Sequence, residues 1–267
     1  MGINPTMLIN FSHANGIPAA SYQPLFDALK PHRVICNPKY GHNPQFPVTD
    51  GWSHLADELL EFLDDNADVP VVAVGHSMGA VLSFIAACKS PERFKGVLML
   101  DPPLIWGKLA WAFRIAKLIG RGDDLTPAGK SKFRRREWPS RQEAVDYFAS
   151  KSLFRFEPAC FESFCQAALR PKAGGGVELE FDVDVEVGIF RNTPTNIKSY
   201  HLPKGLPVKV IHGDKSDASR PECIEPFSRY FGIERQLISG RHMYPLQQPE
   251  QTVSLINEFI AGLADSE

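Results

Sequence analysis

Ser77 stands in Gly75-His76-Ser77-Met78-Gly79, between two runs that position a side chain for attack. Before it, Val69-Pro70-Val71-Val72-Ala73-Val74 is short, apolar and β-branched, the pattern of a strand covered on both faces. After it, Ala80 to Cys88 is apolar and rich in helix formers and stops at Ser90-Pro91. A chain that passes from strand to helix within about one residue strains the turning residue, and small residues two positions either side let the backbones pass. Gly75 and Gly79 are those residues. Such a turn lifts the Ser77 hydroxyl clear of the sheet and sets the Met78 N–H at a helix N-terminus, where it can donate to a developing oxyanion. The chemistry on offer is nucleophilic attack by a serine. Gly-x-Ser-x-Gly alone arises by chance in roughly one chain in ten of this composition, so the flanking strand and helix carry the reading.

A serine hydroxyl attacks only when a base takes its proton and an acid holds that base in the right tautomer. Leu206 to Gly213 reads as a strand closed by a glycine and is followed by Asp214-Lys215-Ser216-Asp217. Asp101 ends another strand, Gly96 to Leu100, although Asp101-Pro102-Pro103 also suits an ordinary strand-ending turn. A last strand, Arg235 to Ile238, leads through Ser239-Gly240-Arg241-His242 into Met243-Tyr244-Pro245-Leu246-Gln247-Gln248-Pro249-Glu250 and a closing helix. A lone loop histidine is usually a polar surface residue.

The stretch around Ser77 resembles the nucleophile elbow of the α/β-hydrolase fold, and Gly240-x-His242 followed by Pro245-Leu246 and Pro249-Glu250 resembles that family's catalytic-histidine loop. The resemblance implies Ser77 as nucleophile and His242 as base. Many members carry the acid three residues beyond the glycine that closes the strand, where this chain has Ser216. A Gly-x-x-Ser-Asp variant is similar to esterase-like members, so the resemblance assigns the acid to Asp217, with Asp214 and Asp101 as alternatives. The second oxyanion donor is expected after the first strand, Met7 to Phe11, in His13-Ala14-Asn15-Gly16-Ile17-Pro18. The commoner family form is His-Gly-x-Pro. Matching it to Asn15-Gly16-Ile17-Pro18 makes Ile17 the donor, and matching His-Gly to His13-Ala14 moves the donor within the loop. His13 itself reads as a loop organiser. Members that dehalogenate or open epoxides use an aspartate at the elbow, so Ser77 disfavours both activities. The resemblance implies a serine hydrolase, read here as an esterase of small to medium acyl chains. Lipase, thioesterase, carbon–carbon bond hydrolase and perhydrolase are alternatives on the same residues, and a non-catalytic small-molecule receptor is an alternative of another class.

Strands alternating with helices imply a mostly parallel sheet with helices on both faces. Three amphipathic faces are legible: Tyr22, Leu25, Phe26 and Leu29; Trp52, Leu55, Leu59, Phe62 and Leu63; and Val253, Ile256, Phe259, Ile260 and Leu263. Only six residues precede the first strand, where the full family fold has two further strands, so a shortened sheet of about six strands is expected. More than 100 residues separate Asp101 from Val208, too many for a simple βαβ crossover. The expected organisation is a core of residues 1–103 and 205–267 and an inserted, mainly helical cap of residues 104–204. Helical stretches are expected at Leu104 to Ile119, Gln142 to Phe156 and Pro158 to Leu169, and an exposed strand at Val177 to Phe181. Trp106, Trp111 and Phe113 each read best as packing between cap and core, and together a cap rich in aromatics implies an apolar substrate pocket.

With 267 residues, 43% of them hydrophobic and 22% charged, the chain can bury one large core. A formal charge of −2 supplies no field for nucleic acid, and the cluster Lys130, Lys132, Arg134, Arg135 and Arg136 reads as a solvated face. Cysteines 36, 88, 160, 165 and 223 are odd in number and contain no CxxC pair, so neither a disulfide framework nor a zinc site is signalled. Cys36 and Cys88 fall in apolar segments and read as small buried hydrophobes. The eight histidines include no HExxH, so neither a metal nor a cofactor is expected. Met1 to Thr6 lacks a charged leader and no run reaches membrane-spanning length, so the expected setting is cytoplasmic, with no stable membrane insertion. The expected partner is a small-molecule ester.

Overall fold

The computed structural model describes residues 6–264; residues 1–5, on which the leader reading rests, lie outside them. The strands are β1 (Leu8–Ser12), β2 (Arg33–Ile35), β3 (Val71–His76), β4 (Phe94–Leu100), β5 (Glu137–Trp138), β6 (Leu169–Pro171), β7 (Val177–Leu179), β8 (Val208–Gly213) and β9 (Glu234–Ile238). Six of them form one parallel sheet in the order β2-β1-β3-β4-β8-β9. This is the expected α/β sheet, and its strand number is the expected six.

The helices are α1 (Gln23–Ala28), α2 (Ser53–Asn66), α3 (Met78–Lys89), α4 (Gly107–Leu118), α5 (Ala128–Ser131), α6 (Arg141–Ala149), α7 (Pro158–Ala168), α8 (Val183–Arg191), α9 (Pro221–Phe231), α10 (Tyr244–Gln247) and α11 (Pro249–Ala264). Every residue of β3 is buried, because its period-2 alternation serves two cores rather than one core and solvent. Val72 and Val74 join Leu98 and Leu100 in the core that α1 and α11 cover. Val71 and Ala73 join Val97 and Met99 in the core covered by α2, α3 and α9. α3 is buried along nearly its whole length, which explains why its sequence is apolar all round rather than amphipathic.

Parallel strands point their carboxyl ends the same way, so the loops after β1, β3, β4, β8 and β9 open at one edge of the sheet. From β1 the chain goes to β2 on one side and then crosses to β3 on the other, so the order reverses between β1 and β3. A crevice forms at such a switch point.

Residues 102–207 run between β4 and β8. They contain α4 to α8 and a second sheet, β5-β7-β6, whose strands pair antiparallel. The expected strand at Val177 to Phe181 is therefore the middle of three. Its helix α7 packs on the turn Ala19–Tyr22 that follows the β1 loop, and a buried cluster of Phe148, Phe154, Phe156 and Phe164 holds the segment together, ring centroids 4.8–5.7 Å apart. These rings are consumed by packing on one another.

Three sequence readings change. Trp111 is 68% exposed, whereas Phe113 is buried and Trp106 lies against Phe227, Tyr230 and Phe231. Arg134 turns inward to the buried Glu186 instead of facing solvent. Cys36 and Cys88 are half-buried.

Candidate active site

Ser77 sits at the turn between β3 and α3 with φ 55° and ψ −119°, a region few non-glycine residues occupy. The glycines on either side are sterically required. A Cβ on Gly75 would lie 2.3 Å from the Gly79 carbonyl oxygen, and one on Gly79 would lie 2.0 Å from that of Ser12. The second contact also shows that the β1 loop crosses directly over the elbow. The Ser77 N–H donates to the Leu100 carbonyl at 2.9 Å, so β4 ends beside the serine, and the next residue is Asp101.

Asp101 has no solvent exposure and a left-handed backbone, φ 48°. Its N–H donates to the Ile211 carbonyl at 2.8 Å, fixing it to β8. Its carboxylate receives three donors: the Gly213 N–H at 2.8 Å, the Ser216 hydroxyl, and His242 Nδ1 at 2.7 Å. A wholly buried carboxylate is tolerable only when its lone pairs are satisfied in this way. With Nδ1 carrying the proton toward Asp101, His242 Nε2 is left as an acceptor, the tautomer a general base needs.

The acid expected at Asp217 is thus corrected: the carboxylate beside His242 is that of Asp101. Asp217 lies on the exposed β8 loop, and Asp214, also exposed, accepts the Gly240 N–H at 2.9 Å and so braces the backbone of the histidine loop. Ser216, at the position where the family pattern places an acid, is a donor to Asp101. The physical reason is supply of donors: three converge on the end of β4.

His76 is a member of this constellation that sequence reasoning passed over as the spacer of the elbow motif. It is fully buried; its Nε2 donates to the His242 carbonyl at 2.9 Å, which leaves Nδ1 to accept the Tyr22 hydroxyl at 2.7 Å. The His76 and His242 rings stand 5.2 Å apart, centroid to centroid, and His76 precedes Ser77 in the chain. Burial pushes the His76 pKa down to about 3, with His242 nearby adding to the effect, so the ring stays neutral and its tautomer is fixed. The signal for it was its position next to the nucleophile on a strand buried on both faces, where a histidine must find two partners.

The β1 loop also differs from expectation. The Ile17 N–H donates to the Ala14 carbonyl at 3.1 Å and is not free for an oxyanion. The Ala14 N–H points to the Tyr22 hydroxyl at 3.4 Å, so Asn15 and Gly16 retain N–H groups with no partner among the described residues. Asn15 stands two residues after His13, whose carbonyl lies against Gly79, and its side chain donates to the Glu186 carbonyl of α8 at 3.0 Å. Of the two ways to match the loop, the one aligning His13-Ala14 with His-Gly therefore fits, and it replaces Ile17 by Asn15. His13 organises the loop, as read from the sequence: Nε2 accepts the Tyr40 N–H at 3.1 Å, Nδ1 donates to the Ala14 carbonyl at 2.8 Å, and burial lowers its pKa to about 4. At the elbow, Met78 opens α3 and its N–H, having no residue four back in the helix, points out of the N-terminus.

Residues 11–255 match the alpha/beta hydrolase family, and the chain belongs to it. A monoglyceride lipase of Rattus norvegicus is 29% identical over 110 residues, 38% of this chain and 36% of that protein. A type I acyl-CoA thioesterase of Penicillium brevicompactum is 27% identical over 170 residues, 57% of this chain and 37% of that protein. The chain thus spans little more than a third of the length of either relative. The peroxisomal α/β-hydrolase Lpx1 of Saccharomyces cerevisiae superposes with a TM-score of 0.78 at 16% identity, covering 100% of this chain and 80% of that one. No helix among the described residues is long and apolar enough to cross a membrane.

Proposed function

We propose that the protein is a serine hydrolase that cleaves carboxylic esters of small to medium acyl chain through an acyl-enzyme. The observation that carries this reading is the 2.7 Å contact of His242 Nδ1 with the buried Asp101 carboxylate, at the strand end next to the strained Ser77. Ser77 attacks the acyl carbon as His242 Nε2 takes its proton, and Asp101 holds the imidazole and stabilises the imidazolium that forms. The tetrahedral oxyanion is bound by the N–H groups of Met78 and Asn15, each worth about 3 kcal/mol in the transition state. His242 then protonates the departing alcohol, and a water deprotonated by the same nitrogen releases the acid. No metal or cofactor takes part in this scheme. The segment 104–204 acts as a cap, since α8 holds the Asn15 side chain and α7 packs on the turn after the oxyanion loop.

A thioester is the second reading, favoured by the 170-residue stretch that is 27% identical to the acyl-CoA thioesterase. Turnover of p-nitrophenyl esters from acetate to palmitate, compared with acyl-CoA of the same lengths, separates the two. The ester reading expects rates climbing from acetate toward hexanoate, because each buried methylene contributes about 0.8 kcal/mol until the chain outgrows the pocket, then falling. A fluorophosphonate should label the wild type and not Ser77→Ala. Labelling that survives Ser77→Ala removes the proposal.

A further inference from the structure

Large apolar side chains exposed to solvent are not spread evenly over this molecule. Of the eleven that are exposed among the described residues, seven lie between positions 109 and 133, a stretch of about a tenth of the chain. α4 is their centre. At 100° per residue its buried positions, Ala110, Phe113 and Ala116, fall on one face. Trp111, Ile115 and Leu118 fall on the opposite face at spacing i, i+4, i+7, and Ile119 extends the stripe past the C-terminus of the helix. Trp111 is 68% exposed, Leu118 86% and Ile119 64%. Beyond the helix, the exposed Leu125 follows the turn Gly122–Asp124 that packs beside α4, and Phe133 is exposed further along the chain. A water-facing helix of an ordinary monomer carries polar residues on that face, and a contiguous apolar stripe in their place marks an interaction site.

The charges on the same helix say what meets the stripe. From Leu104 to Gly122 the chain contains Lys108, Arg114, Lys117 and Arg121 and no carboxylate, in a protein whose formal net charge is −2. Arg114 bonds only uncharged oxygens, the Thr195 hydroxyl at 2.8 Å and the Thr195 carbonyl at 2.8 Å, so its charge is not neutralised there. The nearest carboxylates, Asp123 and Asp124 in the turn after the helix, are already paired, with Lys132 and Arg191 and with Arg121, so an apolar stripe with an exposed tryptophan flanked on α4 by Lys108 and Arg114 fits a surface that is apolar inside and anionic outside. We infer that α4 docks on an anionic lipid surface, with Trp111, Ile115 and Leu118 entering the boundary between headgroups and acyl chains and Lys108 and Arg114 lying over the headgroup charges. Binding is peripheral, since a helix of twelve residues is far too short to span. It is independent of the chemistry at Ser77, although α4 starts six residues after Asp101 and docking brings the exit of β4 close to the lipid.

The test uses Ser77→Ala, so that turnover cannot contribute, in flotation with vesicles of phosphatidylcholine alone or containing about a third phosphatidylglycerol. Flotation with the anionic vesicles is expected, weakening at least tenfold in pure phosphatidylcholine or at 0.5 M salt, where charge attraction is screened. Trp111→Ser with Leu118→Ser should lose at least tenfold in binding without loss of thermal stability, because both side chains face solvent. Trp111→Phe should still bind and should lose the blue shift of tryptophan emission that wild type shows with vesicles. No flotation of wild type, or equal flotation of the double serine variant, would overturn the inference. So would a concentration-dependent dimer in sedimentation that the double variant abolishes while vesicle binding is absent, since the stripe would then be covered by a second copy.

Discussion

Two neighbouring strands of the sheet end in aspartates, and the two ends have opposite fates. At the end of β4, Asp101 is sealed from solvent, its backbone is strained, and three donors from β8, its loop and the histidine loop converge on its carboxylate. At the end of β8, Asp214 and Asp217 face solvent; Asp214 accepts a backbone N–H of the histidine loop, and neither carboxylate meets the His242 ring. Ser216 links the two: its hydroxyl donates to Asp101 and accepts the N–H groups of Ala218 and Ser219 at 3.2 and 3.1 Å, which fixes its direction. A carboxylate becomes the partner of a histidine where the fold supplies enough donors to keep it ionised in a dry place, and sequence spacing is only a proxy for that supply.

The sharpest break of this comparison is Asp101→Asn. Turnover of a p-nitrophenyl ester should fall by about 10³ to 10⁴, because an amide cannot hold His242 in the Nδ1–H tautomer. An inactive Asp217→Asn beside a nearly unaffected Asp101→Asn would reverse the two strand ends.

The buried side has a second property that the exposed loop lacks: it keeps its histidines neutral. His13 and His76 have folded pKa values near 4 and 3, below the ordinary 6.5, so the unfolded chain binds more protons as pH falls through 6.5. The contribution of these two rings is therefore fully present above pH 6.5 and is lost on acidification toward pH 4, while Glu58, whose carboxyl burial raises to about 7, acts in the opposite sense as pH falls through 7. His13 alone should cost about 2 kcal/mol by pH 5. Urea melts of Glu58→Gln, which removes the opposing carboxyl, should show a lower midpoint at pH 5 than at pH 7, and equal midpoints in that variant would show that these rings are protonated in the fold.

A smaller effect is expected for Ser216→Ala. Removing one of three donors to a buried charge should cost about tenfold in kcat with KM little changed, toward the low end of ~1.5–3 kcal/mol for hydrogen bonds to charged groups. The smallest belongs to Asp217→Asn, expected to stay within about twofold of wild type in kcat/KM. A loss beyond tenfold there would mean that the exposed loop closes on His242 during turnover.

The fold was legible because it follows from local patterns. The β-branched run before Ser77, the two glycines at fixed offsets and the amphipathic helices are short-range signals, and they yielded a parallel six-stranded sheet with Ser77 at a strand-to-helix turn. His242 was legible for the same reason, since its loop residues are consecutive. Which carboxylate meets His242 was not legible, because that depends on β4 and β8 being neighbours and on donors 112 and 115 residues from Asp101 arriving at one point. The loop after β1 was misread in the same way: the Ile17 N–H is consumed by the four-residue turn Ala14 to Ile17 that no composition rule specifies. His76 needed Tyr22 and the His242 carbonyl, 54 and 166 residues away, before its place in the site could be seen. The outer stripe of α4 was written in the sequence as apolar residues, and only packing decided which apolar face was left over. Sequence by itself determined the elements and the reactive types they carry, because those depend on neighbours in the chain. Tertiary structure decided the pairings, because hydrogen bonds and burial are properties of neighbours in space.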